Sequence, residues 1–246
     1  MLTSTCEAKL ERLKGIIVGL DSVLVAYSGG VDSTLLLKLC GDLLGSNTLA
    51  VIAVSETYPS REIEEARATA EALGVRYEVI STRELLDDNF ASNPPNRCYF
   101  CKTELFSKLR QMADERGLRH VLDGSNFDDL GDHRPGRQAA KEIGVRSPLM
   151  EAGLTKNDIR MISKDLGLPT WNKPSFACLS SRFPYGDRIT LDKLAQVDQA
   201  EQFLHSLGFV QVRVRHHGSI ARIEVPREEL PRLLDDELTL QVANRL

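Results

Sequence analysis

The stretch "AYSGGVDSTLLLK" (residues 26–38) decides the fold. It follows the apolar, β-rich run "SVLVAY" (22–27), which reads as a buried strand. "VDSTLLLKLCGDLLG" after it has helical spacing and closes at Gly45. A strand entering a glycine turn and then a helix leaves backbone N–H groups exposed at the helix N-terminus. Such amides, aided by the helix dipole, bind phosphate. Gly29 and Gly30 allow close backbone approach, and Ser28 and Ser33 add hydroxyl donors. Asp32 would repel a bare phosphate, so its presence in the turn implies a bridging Mg2+. No Gly-Lys-Ser/Thr follows, and the G-x-G-x-x-G spacing is missing, which excludes two other phosphate loops.

Outward from this turn the chain alternates strand and helix. "TLAVIAVS" (48–55), "RYEVIS" (76–81) and "RHVLDGS" (119–125) read as strands, and "RSPL" as a short fifth strand. Helices are expected in "PSREIEEARATAEALG", "RCYFCKTELFSKLRQMADERG", "HRPGRQAAKEIG" and "LTKNDIRMISKDLG", the last with Thr155 as N-cap. This order implies an α/β fold: a doubly wound, parallel five-stranded sheet with helices on both faces. "LPTWNKPSFACLSSRFPYGDR" (168–188) has no period and three prolines, and reads as a functional loop or linker. A helix (190–207), the strands "VQVRVRHH" and "IARIEV", and a helix near 227–237 then describe a small C-terminal α+β domain. The expected division is 1–168, a loop over 169–188, and 189–246.

The 246 residues are 42% hydrophobic and 27% charged, with a formal net charge of −4. That balance gives no drive toward bulk nucleic-acid binding. No long apolar run suits a membrane span, and the charged N-terminus does not read as an export signal. Five unevenly spaced cysteines (Cys6, Cys40, Cys98, Cys101, Cys178) argue against a secreted disulfide framework and for a reducing cytoplasm.

"SGGVDS" after a first strand resembles the pyrophosphate-binding PP-loop of the ATP pyrophosphatases, which split ATP between the α and β phosphates. The likeness extends to "GSNFDD" (124–129), where such proteins place a nucleotide- and metal-contacting loop. It implies an ATP site from Ser28, Gly29, Gly30, Val31, Asp32, Ser33, Ser55, Gly124 and Asn126, with Asp32 and Ser33 engaged in the chemistry. Asp128 and Asp129 are hard oxygen ligands suited to Mg2+ beside Asp32; a helix-capping or solvated acidic turn is their alternative.

"NPPNRCYFCKTELF", "DGSNFDDLGDHRPG", "SPL…LTK" and "PSFACLSSRFPYG" together resemble the LarE family of ATP-dependent sulfur transferases over nearly the whole chain. The resemblance implies adenylation of a carboxylate of pyridinium-3,5-biscarboxylic acid mononucleotide. Sulfur then displaces AMP to give a thiocarboxylate, toward the nickel-pincer cofactor of lactate racemase. It implies a small-molecule nucleotide substrate, a homo-oligomer, typically a hexamer, and no membrane or nucleic-acid partner. Members of that family usually continue with another strand beyond "LQVANRL"; if that segment is absent from the molecule, the small sheet is incomplete.

The resemblance puts the reactive cysteine at Cys178, which single-cysteine members sacrifice to dehydroalanine. This sequence adds Cys98 and Cys101, three residues apart on one helical face. Three thiolates suit a [4Fe-4S] cluster with one open iron. A zinc site that adds a histidine such as His133, or a pair of structural cysteines, stays open as an alternative. For the substrate end, Arg182 follows the cysteine loop, while Arg213 and Arg215 alternate along one strand face. The resemblance puts substrate-phosphate contacts on that strand, with Glu201 and Glu224 orienting the arginines; a solvated strand face is the plainer reading. A tRNA thiolase, a glutamine-dependent amidotransferase and a non-catalytic nucleotide-binding module are the rivals.

Overall fold

A computed structural model of the chain describes residues 2–131 and 135–246. His133, the candidate fourth zinc ligand, lies outside the described residues. The chain divides into two compact units. The first comprises Met1–Ser55, Ser60–Glu84 and Asn96–Phe176; the second comprises Glu56–Pro59, Leu85–Pro95 and Ala177–Leu246.

In chain order the elements are α1 (Ser4–Val18), β1 (Val23–Ala26), α2 (Val31–Leu44), β2 (Thr48–Val54), α3 (Ser60–Ala72), β3 (Tyr77–Ser81), α4 (Asp88–Ala91) and α5 (Arg97–Glu115). Then follow β4 (His120–Leu122), α6 (Pro135–Ile143), α7 (Pro148–Glu151), α8 (Lys156–Asp165), α9 (Leu191–Ser206), β5 (Arg213–His217), β6 (Ile220–Glu224), α10 (Leu230–Leu233) and α11 (Asp236–Arg245).

The first unit is built on a parallel sheet in the order β3-β2-β1-β4. Alternation along the central strands feeds two cores, because successive strand side chains point to opposite faces. Val23 and Val25 pack with α1, α2 and α8 through Leu13, Leu36 and Ile159, while Leu24 packs with α5 through Leu105 and Leu109. Helices therefore cover both faces, as the alternating sequence implies. Full burial of each such leucine contributes about 1.5–3 kcal/mol.

The expected fifth strand is corrected. "RSPL" makes one isolated parallel bridge, Arg146 to Leu122, and the sheet has four strands. Pro148 lacks a ladder donor and is suited to a first helical turn, and α7 begins there. The single helix expected near 227–237 is instead a 3-10 turn over Arg227–Glu229, then α10 and α11.

In the second unit β5 and β6 form an antiparallel pair, with Arg213 opposite Glu224 and Arg215 opposite Arg222. Leu204, Phe209, Val214 and Val242 make its core. The boundary between the units falls at Phe176/Ala177, within the stretch read as a linker, and two short pieces of the N-terminal half join the second unit. Asn93 donates to the Pro184 carbonyl at 2.7 Å, and the Ile189 amide donates to Ala91 at 2.8 Å.

Candidate active site

The turn from β1 to α2 carries Ser28, Gly29, Gly30, Val31, Asp32 and Ser33. Gly29 has φ +69°, a left-handed conformation, and a Cβ there would lie 2.7 Å from the Ala66 Cβ on α3. Backbone angle and packing thus both require glycine. Gly30 is the N-cap of α2 and supplies no side-chain cap, leaving first-turn amides available to a ligand. The Ser28 and Ser33 hydroxyls lie 3.0 Å apart, and the Ser33 hydroxyl also accepts from the Ser28 amide at 3.3 Å. These bonds preshape the turn.

The loop after β4 closes on the same turn. A Cβ on Gly124 would stand 3.0 Å from the Ser33 amide nitrogen, so this close approach needs glycine too. Asn126 donates through its side chain to Asp32 Oδ1 at 3.2 Å. Asp32 Oδ2 is held by the Nζ of Lys156, the first residue of α8. The Lys156 amide in turn donates to Asp128 Oδ2 at 2.8 Å, and Asp129, which is buried, accepts from the Asn126 amide at 2.9 Å.

Asp32, Asp128 and Asp129, expected beside Mg2+, each have partners within the chain. Among the described residues no group of three or more His, Cys, Asp or Glu side chains is gathered to hold a metal ion. Asp128 and Asp129 face backbone amides, and Asp32 faces an ammonium and an amide. Ser55, assigned to the nucleotide, donates to Oε1 of the buried Glu84 at 2.7 Å.

Lys156 is the site residue that sequence reasoning did not single out. Its one local signal is a position just inside a strong helix start. Thr155 caps α8 in a reciprocal capping box with Asp158. Asp158 also meets Lys9 of α1 at 2.6 Å. Burial pushes the Asp158 carboxyl up, but Lys9 and the Thr155 amide and hydroxyl outweigh it and hold the group below the usual carboxylate range.

Cys98 is exposed and Cys101 half-buried, three residues apart in the opening turns of α5. Cys6 and Cys40 are buried; desolvation raises both thiols, Cys40 to about 12. Cys178, half-buried, precedes the 3-10 turn Leu179–Arg182 in the second unit. In that unit Arg182 is only 2% exposed. Its Nε and Nη2 donate to Glu201 at 2.8 and 2.9 Å, and its Nη1 donates to the Ala177 carbonyl at 2.6 Å and the Cys178 carbonyl at 3.2 Å. Arg182, expected at the substrate end, braces the cysteine loop.

Glu201 also accepts from the Val214 amide at 2.9 Å. Arg215 pairs with Glu224 at 2.7 Å and donates to the Ser181 carbonyl at 3.0 Å. Glu224 accepts from Arg222 as well, and Arg215 foremost holds its carboxyl below the usual range. Arg213 is half-buried, and no carboxylate pairs with it among the described residues. It is the cation of this strand best able to take an incoming anion.

Chemically, the first unit offers a turn of backbone donors beside a carboxylate–lysine pair, suited to a polyphosphate. The second offers an accessible thiol on a braced loop. No helix among the described residues is long and apolar enough to cross a membrane.

Comparison with known proteins agrees with this arrangement. The NAD synthase family pattern matches residues 10–114. An uncharacterized protein of Synechocystis sp. is 50% identical over 94% of this chain and 86% of its own length. The pyridinium-3,5-bisthiocarboxylic acid mononucleotide synthase of Lactiplantibacillus plantarum is 43% identical over 92% of this chain and 83% of its own. The tRNA-specific 2-thiouridylase MnmA of Desulforamulus reducens is 30% identical over 62% of this chain and 52% of its own. With the phosphate-binding turn, the loop after β4 and the cysteine loop in place, the chain belongs to the LarE family of ATP-dependent sulfur transferases.

Proposed function

We propose that the chain adenylates a carboxylate of pyridinium-3,5-biscarboxylic acid mononucleotide and replaces AMP with sulfur, giving the thiocarboxylate that nickel-pincer cofactor synthesis requires. The observation that carries this reading is the uncapped start of α2 behind Gly29 and Gly30, a cradle of amides for the outer phosphates of ATP. A carboxylate is a poor electrophile. Its oxygen attacks the α-phosphorus, the bond to the α–β bridging oxygen breaks, and pyrophosphate leaves with the electron pair. The turn amides and the Ser28 and Ser33 hydroxyls receive the charge that develops there. Sulfide then attacks the acyl carbon and AMP departs. Asp32 is the carboxylate suited to meet Mg2+ accompanying ATP, and Arg213 and Arg215 are the cations proposed for the substrate phosphate.

For the sulfur source, accessibility separates the thiols. Cys98, Cys101 and Cys178 reach solvent, whereas Cys6 and Cys40 do not. These three thiols are the ligands proposed for a [4Fe-4S] cluster, which when bound would supply a renewable source of sulfide. Sacrifice of Cys178 is the second reading, supported by its place on a loop braced by Arg182. The enzyme is proposed to act in the cytoplasm as a homo-oligomer, a hexamer by family likeness. A net charge of −4 weighs against tRNA as the substrate.

Incubation with ATP, Mg2+ and the biscarboxylate mononucleotide tests the reading. Pyrophosphate released only when the carboxylate is present supports it, and a nucleotide-binding module would release none. Anaerobic reconstitution followed by iron and sulfide assay, repeated on Cys98→Ala, separates the two sulfur sources. Intact mass does so independently, since sacrifice removes the elements of one hydrogen sulfide molecule from Cys178.

A further inference from the structure

We infer that Lys173 is a positioning residue for nucleotide binding: it masks two carboxylates of α3 whose charge would otherwise oppose the outer phosphates of ATP. The inference rests on the nucleotide site of the adenylating function proposed above.

Ala66 of α3 is the residue on which the phosphate turn rests, since a Cβ at Gly29 would stand 2.7 Å from its Cβ. Glu65 precedes Ala66, and Glu62 lies one helical turn earlier, so the part of α3 nearest the turn carries two carboxylates. Lys173 Nζ meets Glu62 at 2.9 Å and Glu65 at 2.8 Å, and its side chain is only 16% exposed. Among the described residues Lys173 is the cation paired with Glu62, while Glu65 also meets Arg61 at 2.8 Å. The lysine is held in place by its backbone. Arg160 of α8 donates to the Trp171 carbonyl at 3.0 Å and to the Lys173 carbonyl at 2.9 Å, and the Lys173 amide donates to Thr170 at 2.9 Å. Lys164, also on α8, stands 4.7 Å over the Trp171 ring. The segment 171–173 is thus fastened to α8 by its backbone and to α3 by its ammonium, and both helices share one core with α2.

The cluster stays ionised. Burial works against a charged lysine, yet Glu65 and Glu62 outweigh it and raise Lys173 above its usual range. Burial likewise pushes the Glu65 carboxyl up, but Lys173 and Arg61 prevail and hold it low. Charge balance then gives the lysine its task. ATP brings several negative charges to the turn amides, and two bare carboxylates on the helix that supports the turn would oppose them. Lys173 offsets that charge from a backbone that cannot drift. It touches no reacting atom, so it acts on nucleotide affinity and not on the chemical step.

The test uses the full chain, with ATP and adenosine binding followed by calorimetry and pyrophosphate release assayed alongside. Lys173→Met should weaken ATP about tenfold, keep adenosine within about twofold, and raise the KM for ATP with kcat little changed. Adding Glu62→Gln and Glu65→Gln to Lys173→Met should restore most of the lost affinity, which a lysine needed only for folding would not allow. Glu62→Gln with Glu65→Gln, Lys173 left in place, should bind ATP about threefold more tightly than wild type at low salt, a gain that fades near roughly 0.5 M salt. The inference is overturned if Lys173→Met keeps ATP affinity within about twofold, or if adenosine is lost in parallel. It is overturned equally if the paired glutamine variant binds ATP no better than wild type, a comparison that stands even where Lys173→Met does not fold. Wild type that binds ATP yet releases no pyrophosphate would overturn the function proposed above, while the ATP affinities still decide the role of Lys173. Wild type that binds no ATP would overturn both.

Discussion

The guanidinium of Arg182 meets the carboxylate of Glu201 through two parallel contacts of 2.8 and 2.9 Å, both side chains almost fully buried. The pair binds α9 to the cysteine loop, because the same guanidinium holds the Ala177 and Cys178 carbonyls. Removing one partner strands a buried charge. Arg182→Ala or Glu201→Ala should each cost about 3–5 kcal/mol in urea unfolding. Replacing both with apolar residues of similar volume should cost clearly less than the sum. Additive costs in that double-mutant cycle would show that the two do not act as a pair.

Gly29→Ala should destabilise by about 2–4 kcal/mol, combining a left-handed backbone with a methyl forced onto Ala66. Ala66→Gly in the same chain should restore part of that loss by removing the clash, leaving the backbone cost. Thermal melts of the single and double variants check this, and ATP binding should follow the same order.

The Lys9–Asp158 pair should make stability depend on acid pH. The Asp158 carboxyl is held below its usual range, so its contribution is complete above the unfolded value of about 3.9. It is lost as pH falls through the lower folded value. Lys9→Met should therefore destabilise by about 0.5–1 kcal/mol at pH 7, and the difference from wild type should shrink toward zero below about pH 3. A difference that is constant across this window would mean the lysine acts by packing alone.

The thiols should separate by reactivity. Thiolate is the reactive form, and burial pushes Cys40 to about 12 and raises Cys6. Brief iodoacetamide treatment of the native chain near pH 8, followed by peptide mass analysis, should label Cys98 first and spare Cys6 and Cys40. Urea should expose all five. Early labelling of Cys40 would contradict its burial on the core-facing side of α2.

The strand–turn–helix at residues 22–45 was legible in sequence because its signals are local: an apolar run, two glycines and an immediate helical period. The parallel sheet followed from the same alternation. The fifth strand was not legible, since the four residues "RSPL", with a proline third among them, suit a single bridge and a helix start better than a ladder. Lys156 went unremarked because a lysine at a helix start is ordinary, and its partner Asp32 lies 124 positions earlier. Arg182 and Glu201 were both marked for the substrate end, yet charge in a sequence does not disclose burial. Nor does any local pattern announce that Asn93 bonds to Pro184, 91 positions away.

That last contact has a practical side. The second unit takes Glu56–Pro59 and Leu85–Pro95 from the interior of the first unit's sequence. No single cut can separate the two: a fragment ending at residue 176 would carry two orphaned loops, and one starting at 177 would lack the carbonyls and amides those loops provide. On the ribosome, residues 85–95 must wait for nearly a hundred later residues before their partners emerge, so the cysteine-bearing unit cannot close while the first half of the chain is being made.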